Sequence, residues 1–171
     1  MSEAPRDEAG APTGLRRAAR LAAVQALYQI EFKDDDVESV ILEFVTRRQG
    51  VTLDGDAVLG MDEAFFDDLV RGACRRQAEI DGLLVRALAK NWRLERVEAV
   101  LRAILRAAIY ELLLRDDVPV KVIINEYVEV AHAYLAAEQR KFVNAALDAI
   151  AHIIRPDELG PDSHDRPAET G

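Results

Sequence analysis

Leu101, Ile104, Leu105, Ala108, Ile109 and Leu112 stand at i, i+3, i+4, i+7, i+8 and i+11. An apolar face that broad belongs to a helix buried against other helices. The run stops at Asp116-Asp117-Val118-Pro119. The residue before a proline leaves helical space, and proline suits the first turn of the next helix. Two further stripes follow: Val120, Ile123, Ile124, Tyr127, Ala131, Tyr134 and Leu135, then Val143, Ala146, Leu147, Ile150 and Ile154. Three successive helices of this kind can bury their stripes only against each other and against the first half of the chain. The expected fold is therefore all-α, a helical bundle of two packed units.

The first half is less regular. A helix is expected from Thr13, an N-cap residue type, with Leu21, Val24, Leu27 and Tyr28 on its apolar side. A short helix over 37–48 follows, then a loop over 50–60. A helical stretch over 62–90 carries Gly72 and Gly82, which weaken it, and a bend is expected near Glu79–Asp81. Residues 1–12 and 156–171 are rich in proline, glycine and acids and read as disordered tails. Between them lie an N-terminal helical subdomain, 13–90, and a C-terminal one, 91–155.

Charge is segregated. The net charge is −9, which taken alone disfavours nucleic acid. Yet the only charges from Thr13 to Ile30 are Arg16, Arg17 and Arg20, whereas Glu31 to Glu43 is strongly acidic. Spacings of three and four put the three guanidinium groups on one side of a helix. They sit in its first turns, where the helix dipole disfavours cations, and no acid four residues on compensates them. Phosphate binding would use such a cluster, because the arginine fork matches phosphate oxygens. A solvated face, or pairing with acids elsewhere in the chain, accounts for it equally well. Phe142, between Lys141 and Val143 and close to Asn144, could stack a single-stranded base while Lys141 holds a phosphate. The plainer reading is a core aromatic beside a solvent lysine.

Catalytic and metal chemistry find little support. The one cysteine, Cys74, has no partner for a disulfide or a zinc site and reads as a small residue at a helix surface or core edge. Glu129-Val130-Ala131-His132 has the spacing of a di-iron helix, but no second copy accompanies it. Glycine-rich phosphate loops and nucleophile elbows are missing. The expectation is a non-enzymatic protein with no metal and no cofactor. No uninterrupted apolar run is long enough for a membrane span, and the first residues carry no apolar run of the signal-peptide kind. A cytoplasmic protein is expected.

Arg16-Arg17-Ala18-Ala19-Arg20 with Ala23-Val24-Gln25-Ala26-Leu27-Tyr28, then Leu105-Arg106, Ile109-Tyr110-Glu111-Leu112, Val118-Pro119, Ile124-Asn125-Glu126 and Lys141-Phe142-Val143-Asn144, occur in an order and spacing that resembles the NusB family. The resemblance covers roughly 13–156. It implies about seven helices in two subdomains. It also implies binding of the boxA element of nascent ribosomal RNA together with NusE, a ribosomal protein, within the RNA polymerase antitermination complex of Nus factors. Arg16, Arg17 and Arg20 fall on the family's arginine-rich RNA-binding motif, and Lys141 and Phe142 on its second RNA-contacting segment. Arg102 and Arg106, taken as exposed on one helix face, are the expected NusE contacts. Asn125 and Glu126 are expected to be structural, satisfying backbone groups. The chain departs from the family in having Ala145 after Asn144, where glycine is frequent, and a shorter entry, 136–140, into the last helix. Two alternatives stay open: a purely protein-interaction helical module, and a stand-alone RNA-binding or interaction module related to the N-terminal domain of ribosomal RNA cytosine methyltransferases.

Overall fold

The computed structural model describes residues 13–48, 52–53, 56–57, 60–88 and 97–159. Among them are seven helices and one helical turn: α1 (Thr13–Lys33), α2 (Val37–Arg48), α3 (Glu63–Arg75), α4 (Gln77–Ala87), α5 (Ala99–Leu114), α6 (Val120–His132), α7 (Ala137–Ile154) and α8 (Pro156–Leu159). The expected loop after α2 holds a minimal antiparallel ladder, β1 (Thr52–Leu53) with β2 (Asp56–Ala57). None of these helices is long and apolar enough to cross a membrane.

The first helix organises the molecule. Ala19, Ala22, Ala23 and Ala26 are fully buried. With no side chain beyond Cβ on that face, α1 comes close to its neighbours, and it packs on α2, α3, α5 and α6. It therefore touches both expected subdomains, and one continuous core runs from Ala19 through Phe66, Ile104 and Tyr127 to Ile150. The stripes read from the sequence supply most of that core: Leu101, Ile104, Leu105, Ala108, Ile109 and Leu112 are all buried.

Helix ends have local causes. Asp34 takes the left-handed conformation, with φ of 54°, and turns the chain out of α1. The Asp36 carboxylate accepts from Ser39 N (3.1 Å) and so covers the start of α2. Much of the acidic stretch is thus turn and cap chemistry. Asp62 caps α3, accepting from Phe65 N at 3.0 Å, while its own N–H donates to the Leu15 carbonyl of α1. Pro119 stands at the N-cap of α6, one position before the first turn in which it was expected. The bend expected near Glu79–Asp81 occurs earlier: Arg76 (φ −106°, ψ 17°) separates α3 from α4. The two glycines do not cause it. Gly82 faces open space, and Gly72 lies where a Cβ would collide with the Tyr110 ring.

Residues 156–159, placed in the tail by the sequence reading, form α8 instead. The Glu158 carboxylate accepts from Val120 N at 2.7 Å and caps α6. Arg155, just before it, donates to the carbonyls of Glu111, Leu112, Arg115 and Val118. One guanidinium thereby gives the Leu112 carbonyl a partner and ties the end of α5 to the turn before α6. The N-terminal tail, 1–12, lies outside the described residues, as do 160–171.

Candidate nucleic-acid interface

The three arginines of α1 separate into two inside and one outside. Arg20 is 3% exposed, and its Nε and Nη2 donate to the Glu111 carboxylate of α5 at 2.8–3.1 Å; Glu111 is itself fully buried. Burial opposes the charge on Arg20, but the hydrogen bonds and charge of Glu111 outweigh it and raise the pKa. Arg16, also buried, pairs with Asp62 (3.7 Å) and Asp117 (3.6 Å). Arg16, Arg20 and Arg115 lie around the buried Phe65 ring, with centroid distances of 4.6, 5.1 and 5.0 Å. Such contacts contribute about 0.5–2 kcal/mol each, the more so when desolvated. The acids missing from α1 are therefore supplied by α5, α6 and the turns before α3 and α6.

Arg17 points out. Its side chain is 59% exposed, and its Nε and Nη2 donate to Glu126 of α6 at 3.1 and 2.9 Å. Hydrogen bonding to Glu126 and then its charge raise the pKa of Arg17, so the cation is fixed in both charge and direction. Glu126 also lies 3.7 Å from Arg20. It is structural, as expected, but its partners are side-chain cations rather than backbone groups. Beside this network Tyr127 is fully buried with no hydrogen-bond partner for its hydroxyl. Burial, then the neighbouring Glu111 charge, push its pKa well up.

Lys141 is exposed in the second turn of α7, and Phe142 is half-buried against the edge of the core. The helix entry is ordered by Gln139, whose Oε1 accepts from Ala136 N at 3.2 Å. Between α1 and Tyr134, just past α6, Gln25 donates to the Tyr134 hydroxyl at 2.8 Å.

Arg102 and Arg106 are not the exposed pair expected. Their side chains are 15% and 11% exposed, and both are engaged by Glu31 at the end of α1. Arg106 also forks onto Asp81 of α4 at 2.8 and 2.9 Å. The i, i+4 spacing was read correctly, but the face carries internal ties joining α1, α4 and α5. Cys74 is half-buried, and burial raises its thiol pKa, which makes it a poor nucleophile. His132 and Glu129 are both exposed on α6, and no group of metal-ligating side chains occurs among the described residues.

The residues missed in the sequence are the carboxylates other than Glu126. Glu111 carried a signal: it lies seven positions after Ile104, inside the apolar stripe. A charge there needs a buried partner. Tyr110, next to it, donates to Asp68 at 2.6 Å. Burial, then that bond, push its pKa from 10.0 up to about 12. The folded state thus resists deprotonation more than the unfolded chain does. Its contribution is full below pH 10 and is lost as pH rises toward about 12. Tyr127 acts in the same direction. Alkaline denaturation of Tyr110→Phe, followed by circular dichroism, should show a shallower loss of stability over that window than the parent protein. Equal slopes would remove Tyr110 from the account.

The sequence profile described as NusB family matches residues 17–152. The transcription antitermination protein NusB of Caulobacter vibrioides is 50% identical over 140 residues, 82% of this chain and 94% of its own length. Among solved structures, T. maritima NusB is 36% identical with a TM-score of 0.70, covering 84% of this chain and 96% of its own. A chain in a crystal structure of antitermination factors NusB and NusE in complex with dsRNA shares the fold, with a TM-score of 0.69 at 23% identity. It covers 82% of this chain and 98% of its own.

Proposed function

Because the chain belongs to the NusB family, we propose that it is a cytoplasmic transcription antitermination factor that binds the boxA element of nascent ribosomal RNA together with NusE, within the Nus-factor complex on RNA polymerase. Arg17 carries this reading: a cation more than half exposed at the N-terminal end of α1, aimed by Glu126. Only two of its five N–H donors go to Glu126, at Nε and Nη2, so the others can take a phosphate. The exposed Lys141 supplies a second phosphate contact, and Phe142 a partial stacking surface. Arg16 and Arg20 act from inside, holding α1 against α3, α5 and α6 so that Arg17 is presented outward. NusE contributes part of the positive surface that an acidic chain lacks.

The test is fluorescence anisotropy with a boxA RNA and a scrambled control, with and without NusE, at two salt concentrations. Arg17→Ala and Lys141→Ala should each weaken binding about tenfold, the loss of one charge-assisted contact. Each should also reduce the salt slope by about one phosphate contact. Equal, weak binding of both RNAs with NusE present would sink the proposal. The pairing of all three α1 arginines with carboxylates favours one other reading, a protein-interaction module. It predicts that Arg17→Ala leaves RNA affinity unchanged while NusE still binds.

A further inference from the structure

A cleft of about 370 Å³ lies between α1 and α6. Gly14, Ala18 and Ala133 give it small side chains, Leu21 and Val130 give it apolar faces, and Arg17, Glu126 and Glu129 bring charge to it. The two helices run in the same direction here, since Arg17 meets Glu126 and Gln25 meets Tyr134. The Gln25–Tyr134 bond ties the two segments together just beyond Leu21 and Val130. The cleft lies beside the cation assigned to phosphate.

The two carboxylates differ. Glu126 is 8% exposed and spent on Arg17 and Arg20. Glu129, one turn on, is exposed, and its charge helps to raise the pKa of Arg17 without a hydrogen bond to it. On a face that binds RNA, an exposed carboxylate repels the backbone, which carries a charge at every nucleotide. It lowers affinity unless it receives donors from a base. A carboxylate accepts two parallel hydrogen bonds through its two oxygens. Among the four RNA bases only guanine offers two adjacent donors, N1–H and the N2 amino group, on its Watson–Crick edge.

We infer that the α1–α6 cleft is a reading site for one unstacked guanine, its ring between the apolar walls, its Watson–Crick edge on Glu129, and the adjoining phosphate on Arg17. The inference rests on the RNA-binding reading above and adds a base preference to it. Glu129 is the specificity residue and Arg17 the sequence-independent contact.

The experiment uses the full chain with NusE and three labelled single-stranded RNAs: an oligouridine with one guanine, the same RNA with inosine there, and the all-uridine RNA. Inosine keeps N1–H and loses the amino group. The parent protein should bind the guanine RNA about tenfold more tightly than the inosine RNA, the usual scale of one bidentate base contact. Glu129→Gln should abolish that difference and weaken guanine binding, although it removes a negative charge. Ala133→Leu, which fills the cleft from an exposed position, should abolish the difference between the guanine and inosine RNAs. If Glu129→Gln instead strengthens binding of all three RNAs equally, Glu129 is only a repelling charge. The inference is then overturned while the proposed function stands. If none of the RNAs binds in a salt-dependent way and Arg17→Ala changes nothing, the functional reading falls and the inference with it.

Discussion

Glu111→Ala is expected to lower the unfolding free energy by about 3–5 kcal/mol, because it strands the Arg20 guanidinium in the interior. Arg20 is 3% exposed, and its other carboxylate neighbour, Glu126, is 3.7 Å away and already bound to Arg17. Urea denaturation at neutral pH measures the loss. A change under about 1 kcal/mol would mean that the interior relaxes or that water reaches the guanidinium, and the pair would lose its structural role. Breaking such a pair is a different experiment from replacing it. Arg20→Met with Glu111→Leu substitutes apolar groups of similar size for both charges. That change is often neutral or stabilising by about 1–4 kcal/mol. The double variant also separates the two roles open to Arg20. If it folds and binds RNA as the parent does, Arg20 is an internal strut; if it folds and RNA affinity falls about tenfold, Arg20 reaches the RNA after all.

Gly72→Ala should destabilise the protein by about 1–3 kcal/mol, the scale of overpacking in a tight core. This runs against helix propensity, which favours alanine over glycine by about 1 kcal/mol at an interior helical position. A Cβ at residue 72 would overlap the far end of the Tyr110 ring. That ring is 6% exposed, and its hydroxyl is held by Asp68 at 2.6 Å, so it cannot swing aside without giving up the bond. Tyr110→Leu opens the space, and the cost of Gly72→Ala should shrink in that background. Thermal unfolding of the two single variants and the double variant closes the cycle. Additive losses would show that Gly72 and Tyr110 do not compete for the same volume.

These effects also mark where the sequence was readable. The three stripes from Leu101 to Ile154 specify α5, α6 and α7 because helical burial leaves a periodic trace. Pro119 and the caps punctuate them for local reasons. The break at Arg76 was misplaced because glycine suggested weakness, whereas Gly72 serves a contact with Tyr110 from 38 positions further along the chain. Tertiary contact of that kind leaves no local pattern. The arginine cluster was visible, and so was its lack of local compensation. What could not be read was which arginine faces water. That depends on Glu111, Glu126, Asp62 and Asp117, which converge only in three dimensions. The expected outward pair, Arg102 and Arg106, failed for the same reason: Glu31 and Asp81 close over it. The resemblance to NusB gave the family correctly, and the fold with it.

The bonds that orient α1 also impose an order on biosynthesis. Arg20 and Glu111 are 91 positions apart, and Arg17 and Glu126 are 109 apart. A ribosome adding about 5–20 residues per second leaves α1 waiting seconds for its counter-charges. During that interval its alanine face has nothing to pack on, and Arg17 and Arg20 lack their carboxylates. The outward-facing arginine acquires its fixed aim only after α6 has emerged. A nascent fragment ending before α5 therefore carries the three arginines without the carboxylates of α5 and α6 that orient them.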